Sequence, residues 1–295
     1  MKMFQLKVPA TSANLGPGFD TIGMALKLYN EYEVERISNG IEFVGCDGIS
    51  LEENLVYSSM QKTLSKYGCY VDGIRIHANA IDIPISRGLG SSAASIAAGI
   101  MIANQLMNNI LTEDDIIHIG TEIEGHPDNI VPAVVGGLTV SIYEGEKVVY
   151  SRVTVPQNLR FVVMIPDFAV STHNARKVLP EQYSKADCIF NISRAAMFVA
   201  AMNNGEPEKL RIATEDKIHQ PYRASLIPDI YDIFEYVKSW GSMAEVISGS
   251  GSTLLAIIDK DNQLFEKEMK KYFDTLKEVW HLKVLEIDTE GAMFI

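Results

Sequence analysis

Apolar and polar residues alternate weakly over positions 3–9 and the run closes at Pro9, which predicts a first strand. Residues 22–37 alternate again at Leu26, Leu28, Tyr32 and Val34, as the arm of a β-hairpin does, and residues 40–45 are placed to pair nearby. Asn54 is a good N-cap for a helix that runs to about Tyr67 and stops at Gly68. Gly73–Ala80 reads as a strand, and residues from Ser91 to about Met107 as a helix rich in alanine. Thr112 caps a further helix. Its acidic first turn suits the helix dipole, and Ile116, Ile117, Ile119 and Ile123 mark its buried side. Leu138–Tyr143 and Lys147–Val155 read as two strands joined at Glu144-Gly145-Glu146.

A domain change falls near Pro156-Gln157-Asn158, giving segments 1–156 and 157–295. Beyond it, Arg160–Ile165 is an apolar strand and Pro166–Pro180 a loop region. Residues 185–203 form an amphipathic helix, a shorter helix follows Pro207, and His219–Arg223 reads as a polar connector. A helix over Ile230–Trp240, strands over Ala244–Ile247 and Thr253–Ile258, a helix over 262–274 and a strand over 279–287 complete the chain. This order of strands and helices resembles a split βαβ, ferredoxin-like layer.

Two polar, glycine-rich loops interrupt the pattern. The first is Pro84-Ile85-Ser86-Arg87-Gly88-Leu89-Gly90-Ser91-Ser92-Ala93-Ala94, set between a strand and a helix. Its glycines allow positive φ and close approach of the backbone to a ligand. Ser91 or Ser92 can cap the helix, whose free N–H groups suit a phosphate. No lysine follows Gly90, so a Walker A loop is excluded. Gly88-x-Gly90-x-x-Ala93 fits only the loose dinucleotide pattern, and a strand does not end directly in these glycines. The second loop is Ser248-Gly249-Ser250-Gly251-Ser252-Thr253.

Composition narrows the class. The 295 residues are 47% hydrophobic and 22% charged, ordinary for a globular protein. A net charge of -12 with dispersed basic residues argues against a nucleic-acid groove or an anionic membrane surface. Cys46, Cys69 and Cys188 show neither disulfide nor zinc spacing and read as reduced thiols of a cytosolic protein. Met1–Val8 lacks the long apolar run of a secretory leader, and no stretch of about 18 apolar residues predicts a membrane span.

Polar residues gather in two further places. Ala10–Asp20 is a Ser-, Asn-, Gly- and Pro-rich loop that offers the Asn14 amide and the Asp20 carboxylate. Glu122, Glu124, His126, Asp128 and Asn129 lie between apolar segments, where a site is the better reading than a solvated face.

Taken together these loops resemble the GHMP kinase superfamily, named for galactokinase, homoserine kinase, mevalonate kinase and phosphomevalonate kinase. Pro84 to Ala94 matches its phosphate-loop motif, and Ser248 to Thr253 resembles its C-terminal glycine motif. Val8 to Asp20, Glu124 to Pro132, Asn54-Leu55-Val56, Thr172-x-x-x-Arg176 and His219-x-Pro221-x-Arg223 are similar to motifs of its homoserine kinase branch.

The resemblance implies an α+β, two-domain GHMP fold. The N-terminal domain, residues 1–156, would be like ribosomal protein S5 domain 2, and the C-terminal domain, 157–295, ferredoxin-like. It implies a homodimer without nucleic-acid or membrane partners, and phosphorylation of L-homoserine by ATP with Mg²⁺. Asn54 and Pro84 to Ala94 would hold ATP. Ser92 and a helix carboxylate would hold the metal, with Glu122 favoured over Glu124 because Glu124 ends the helix beside Gly125. Arg176 and Arg223 would clamp the substrate carboxylate. Asn14, Asp20, His126, Asp128 and Thr172 would surround its amino and hydroxyl end, Asp20 binding and orienting rather than serving as base. Three rivals stand beside this reading: the same fold acting on another alcohol, a non-catalytic binder, and a nicotinamide enzyme.

Overall fold

A computed structural model describes residues 3–45, 50–51 and 53–295; Cys46 lies outside them. The first sheet is built from β1 (Phe4–Ala13), β2 (Ile22–Arg36), β3 (Gly40–Val44), β4 (Gly73–Ile81), β5 (Leu138–Tyr143) and β6 (Val148–Val153). β1 pairs antiparallel with β2, β2 with β4 and β5, and β5 with β6, while β3 runs parallel to β4. β1 extends past the expected stop at Pro9. The register shifts between Pro9 and Ala10, which absorbs the missing N–H, and Ala10–Ala13 then pair with residues 23–26.

Four helices accompany this sheet: α1 (Leu55–Lys66), α2 (Ser91–Leu106), α3 (Glu113–Glu124) and α4 (Pro127–Val135). α2 packs on β1, and α4 on β1, β2 and β5. Ala93, Ala94, Ala97 and Ala98 of α2 are buried, so small side chains bring the helix close to its neighbours. α3 opens with the capping box of Thr112 and Asp115 and closes at Gly125 in the left-handed conformation. α4 begins at once, with Pro127 in its first turn and His126 as N-cap. The expected cap at Ser91 or Ser92 is corrected. Gly90, at φ 68, occupies that position, and no side chain caps α2.

The second sheet contains β7 (Leu159–Pro166), β8 (Ala244–Ile247), β9 (Leu254–Asp259) and β10 (Trp280–Leu285) in the antiparallel order β10-β7-β9-β8. β7 is apolar from Phe161 to Pro166 because both its faces are covered there. Phe161, Val163 and Ile165 join the large core with α6 (Lys185–Asn204), whereas Val162 and Met164 join a smaller one with α9 (Ile230–Ser239) and α10 (Phe265–Phe273). The loop region after Pro166 contains a short helix, α5 (Thr172–Lys177), opened by the Ser171 hydroxyl accepting from the Asn174 N–H. Between α6 and α9 lie α7 (Leu210–Ala213) and α8 (Gln220–Arg223). The polar connector His219–Arg223 is buried at its two ends, His219 at 0% and Arg223 at 1% exposed, while Tyr222 between them is 37% exposed. A last strand, β11 (Met293–Phe294), pairs antiparallel with β1, so the chain ends on the first sheet. Among the described residues no helix is long and apolar enough to cross a membrane.

Candidate active site

The two glycine loops meet. Ser248 Oγ donates to the Gly88 carbonyl at 2.6 Å, and the Thr253 N–H donates to the Arg87 carbonyl at 3.0 Å. The Gly249 N–H donates to the Ala13 carbonyl at 2.8 Å, and the Thr11 N–H to the Leu89 carbonyl at 3.1 Å. The first loop is thereby fixed by β1 on one side and by the second loop on the other. Gly88 and Gly90 hold φ of 77° and 68°, which lets the chain turn sharply into α2.

The turn opens a cavity of about 330 Å³. Ile85, Ser86, Arg87, Gly88, Gly90, Ser91 and Ser92 line it. Leu89, Ala93 and Ala94 belong to the same motif but are buried in the core, so they shape the loop from behind. Pro84 is half-buried at its start. Arg87 donates to the carbonyl oxygens of Pro166, Ile85 and Asp167, which ties the loop to the end of β7. Asn54 also faces the cavity while its Oδ1 caps α1, accepting from the Val56 and Tyr57 N–H groups at 3.0 and 3.1 Å.

The carboxylate beside the loop is Glu124, which corrects the preference for Glu122. Ser92 Oγ donates to Glu124 Oε2 at 2.7 Å, and both residues line the cavity. Glu122 pairs instead with Lys66 Nζ at 2.7 Å on α1, whose hydrogen bond holds its carboxyl below the usual range. A hydroxyl and a carboxylate this close, at the start of α2 and facing the cavity, are the hard oxygen donors that suit Mg²⁺.

Beyond Glu124 lie the other candidates. Asn14, His126, Asn129, Thr172, Arg176 and Arg223 all line the same cavity. Asn14 and Asp20 hold φ of 56° and 53°, and Asn14 Oδ1 accepts from the Asp20 N–H at 2.8 Å. Such left-handed residues are costly and concentrate at functional sites. Arg176 forks onto Asp20, with contacts of 2.6 and 3.0 Å. Burial pulls the Arg176 pKa down, but this bond and the Asp20 charge leave it above the ordinary arginine value. Thr172 Oγ1 lies 3.5 Å from Ser250 Oγ of the second loop.

His126 Nδ1 is 2.6 Å from Asp128 Oδ1, and the other Asp128 oxygen is buried without a hydrogen-bond partner among the described residues. Burial lowers the His126 pKa, yet the hydrogen bond and the charges of Asp128, Glu124 and Asp20 outweigh it, so the imidazole lies above its usual value. Ligand atoms of Asp20, His126 and Asp128 lie within 4.8 Å of one another, a spacing that could also hold a cation. Arg176 gives one bond to each Asp20 oxygen, and each oxygen keeps a lone pair for a second cationic partner, the ammonium of a substrate included.

Arg223 is the buried counterpart of Arg176. Its Nε donates to the Ala175 carbonyl at 3.2 Å and its Nη1 to the Gly249 carbonyl at 2.9 Å. Burial, followed by the nearby Arg176 charge, pushes its pKa down to about 10. No carboxylate is bonded to it among the described residues, so Arg176 and Arg223, two of the three arginines that line the cavity, have a single bound carboxylate between them, Asp20. An incoming carboxylate would relieve that repulsion.

Phe43 of β3 and Ile81 of β4 escape the sequence reading. With Leu55, Val56 and Ile85, which belong to the motifs named above, they give the cavity an apolar wall. Asn129 does have a signal, its place next to Asp128; its Oδ1 accepts from Thr11 Oγ1 at 2.7 Å.

The cavity joins an anion cradle, a hydroxyl–carboxylate pair and a two-arginine pocket, the parts needed to phosphorylate a small zwitterion. The family described as GHMP kinases N terminal domain matches residues 54–137, and GHMP kinases C terminal matches residues 197–275. A homoserine kinase of Clostridium novyi is 52% identical over 296 residues, covering 99% of this chain and 99% of that protein. A homoserine kinase of Clostridium acetobutylicum is 49% identical, covering 99% of this chain and 100% of that protein. The crystal structure of homoserine kinase from Cytophaga hutchinsonii matches with a TM-score of 0.90 at 28% identity, over 100% of this chain and 98% of that one. Mevalonate kinase of L. major matches at a TM-score of 0.73 and 15% identity, over 97% of this chain and 96% of that one, and shares the fold alone.

Proposed function

The chain belongs to the homoserine kinases of the GHMP kinase superfamily, and from that premise we propose how its residues divide the phosphorylation of L-homoserine by ATP, a step toward threonine. The observation that carries the assignment is the buried Arg223 beside Arg176 in the cavity, with Asp20 held on the Arg176 fork, so that charges for both ends of an amino acid lie together.

ATP lies with its phosphates on the backbone N–H groups from Gly88 to Ser92 and its base toward Phe43, Leu55, Val56 and Ile81. Homoserine places its carboxylate on the forks of Arg223 and Arg176 and its ammonium on Asp20. Asn14, His126, Asp128, Asn129 and Thr172 surround its hydroxyl end. The side-chain hydroxyl then attacks the γ-phosphorus in line, the bond to the β–γ bridging oxygen breaks, ADP leaves and the hydroxyl proton passes by way of the transferred phosphoryl oxygens to solvent. Such a transfer depends on positioning and charge stabilisation far more than on a strong base. Ser92 and Glu124 would hold Mg²⁺, which would neutralise charge on the phosphate oxygens.

Glu124→Gln is expected to lower kcat by roughly 10²-fold and to raise the magnesium concentration needed for half-maximal rate, whereas Glu122→Gln stays within about 2-fold of wild type. Magnesium titrations of both variants check this; equal losses would return Glu122 to the metal site. Asp20 binds and orients rather than acting as base, since both its oxygens are engaged by Arg176. Asp20→Asn is therefore expected to raise KM for homoserine more than it lowers kcat. A loss of several orders of magnitude in kcat at unchanged KM contradicts the binding role.

The domain boundary near residue 156, cytoplasmic location and a homodimer complete the proposal. Light scattering on the purified chain checks the last, with about twice the 32.7 kDa chain mass expected and a monomer mass contradicting it.

A further inference from the structure

His219 is fully buried behind the two-arginine pocket. Its ring nitrogens meet partners of opposite kind. Nε2 lies 2.7 Å from the Gly16 carbonyl oxygen, which can only accept. Nδ1 lies 3.3 Å from Arg223 Nη1, which can only donate. Both bonds exist together only when the ring is neutral and carries its proton on Nε2.

The surroundings support that state. Burial pushes the imidazole below its ordinary value against the pull of Asp216. Asp216 Oδ2 stands 3.6 Å from Nε2, but this carboxylate already accepts from Asn191 Nδ2 and from the N–H groups of Ile218, His219 and Gln220. Phe19 stacks on the imidazole at 5.5 Å and 30°. The same ring faces the guanidinium carbons of Arg176 at 5.4 Å and Arg223 at 5.1 Å.

Arg223 has two other anchors, Ala175 and Gly249, which come from α5 and the second glycine loop. His219 is the anchor that reaches the Gly16 loop, between Asn14 and Asp20. We propose that His219 is a positioning residue: by accepting from Arg223 and donating to Gly16, it sets the carboxylate subsite at a fixed distance from the ammonium subsite. The inference rests on the reading that Arg223 receives the homoserine carboxylate. A misplacement of about 1 Å in such a site costs on the order of 10²-fold in rate or affinity.

The test compares wild type, His219→Leu and His219→Gln with two acceptors, L-homoserine and 3-aminopropan-1-ol, which lacks the carboxylate. Leucine removes both hydrogen bonds and keeps apolar bulk. The glutamine amide offers an acceptor and a donor side by side and restores both. His219→Leu is expected to raise KM for homoserine roughly 10–100-fold with kcat and the KM for ATP within about 3-fold. His219→Gln recovers most of the loss, and kcat/KM for 3-aminopropan-1-ol is the same in all three. Equal losses on both acceptors, or no recovery with glutamine, overturn the proposal. The ¹⁵N shifts of His219 in wild-type protein, which need no variant, are expected to report the neutral Nε2–H ring; a charged ring or the Nδ1–H tautomer overturns it as well. Failure of the underlying reading looks different: Arg223→Ala would then leave the KM for homoserine unchanged.

Discussion

Replacing Arg223 by alanine is expected to lower kcat/KM for L-homoserine by roughly 10²–10³-fold, since removing one partner of a desolvated, hydrogen-bonded ion pair costs about 2–5 kcal/mol. The loss falls mainly in KM, because the substrate carboxylate is present before and during transfer and its binding is largely uniform. Arg223→Lys recovers little. A lysine keeps the charge but lacks the planar fork that serves Ala175, Gly249 and His219 while facing the cavity. Steady-state kinetics with each substrate varied, alongside thermal melting, check this. An unchanged KM for homoserine in a well-folded Arg223→Ala protein contradicts the carboxylate assignment. A matching rise in the KM for ATP would show that the whole cavity had collapsed.

Gly88→Ala is expected to abolish most ATP-dependent activity. A Cβ on Gly88 would lie 2.2 Å from the Ser248 carbonyl oxygen and 2.8 Å from that of Gly251, both backbone atoms. Its φ of 77° adds a conformational penalty of about 1–2 kcal/mol for any L side chain. The two glycine loops cannot part without breaking the bonds that hold Gly88 and Arg87, so the phosphate cradle shifts. A fall of roughly 10²–10³-fold in kcat/KM for ATP follows from a displacement of about 1 Å or more. Gly68→Ala is the control. It has a comparable φ of 65°, but its Cβ would meet nothing within 4 Å. That variant should lose a little stability and no activity. Wild-type ATP kinetics in Gly88→Ala would show that contact between the loops is not needed.

The sequence carried the architecture where local pattern and tertiary environment agree. β7 reads as an apolar run because both its faces are covered. α3 announces itself through Thr112 and an acidic first turn, and the structure adds the reciprocal bond from Asp115. Prediction stopped short where distant partners decide. The Ala10–Ala13 segment looks like a loop from its polar and proline-flanked composition, yet pairing with β2 makes it strand. His219–Arg223 reads as a polar connector, and the burial of His219 and Arg223 depends on the Gly16 carbonyl, more than two hundred residues away from His219 in sequence, and the Gly249 carbonyl, which receive their donors. Helical spacing separates Glu122 from Glu124 but cannot orient the pair. Lys66 on another helix claims Glu122 and leaves Glu124 to face Ser92. The candidate site was legible as a set of polar motifs. The part of its apolar wall that Phe43 and Ile81 supply was not, because an apolar side chain in a cavity wall looks the same in sequence as one in the core.

The most direct test of the account is homoserine-dependent phosphoryl transfer by the purified chain with Mg-ATP, set against mevalonate, galactose and L-serine. Product is followed by ³¹P NMR and ADP by a coupled assay. Turnover of about 1 s⁻¹ or more with L-homoserine, with one phosphomonoester formed per ADP, is the predicted result. Faster turnover with mevalonate or galactose would leave the fold and the phosphate loop standing. It would contradict the two-arginine, Asp20 pocket as an amino-acid site.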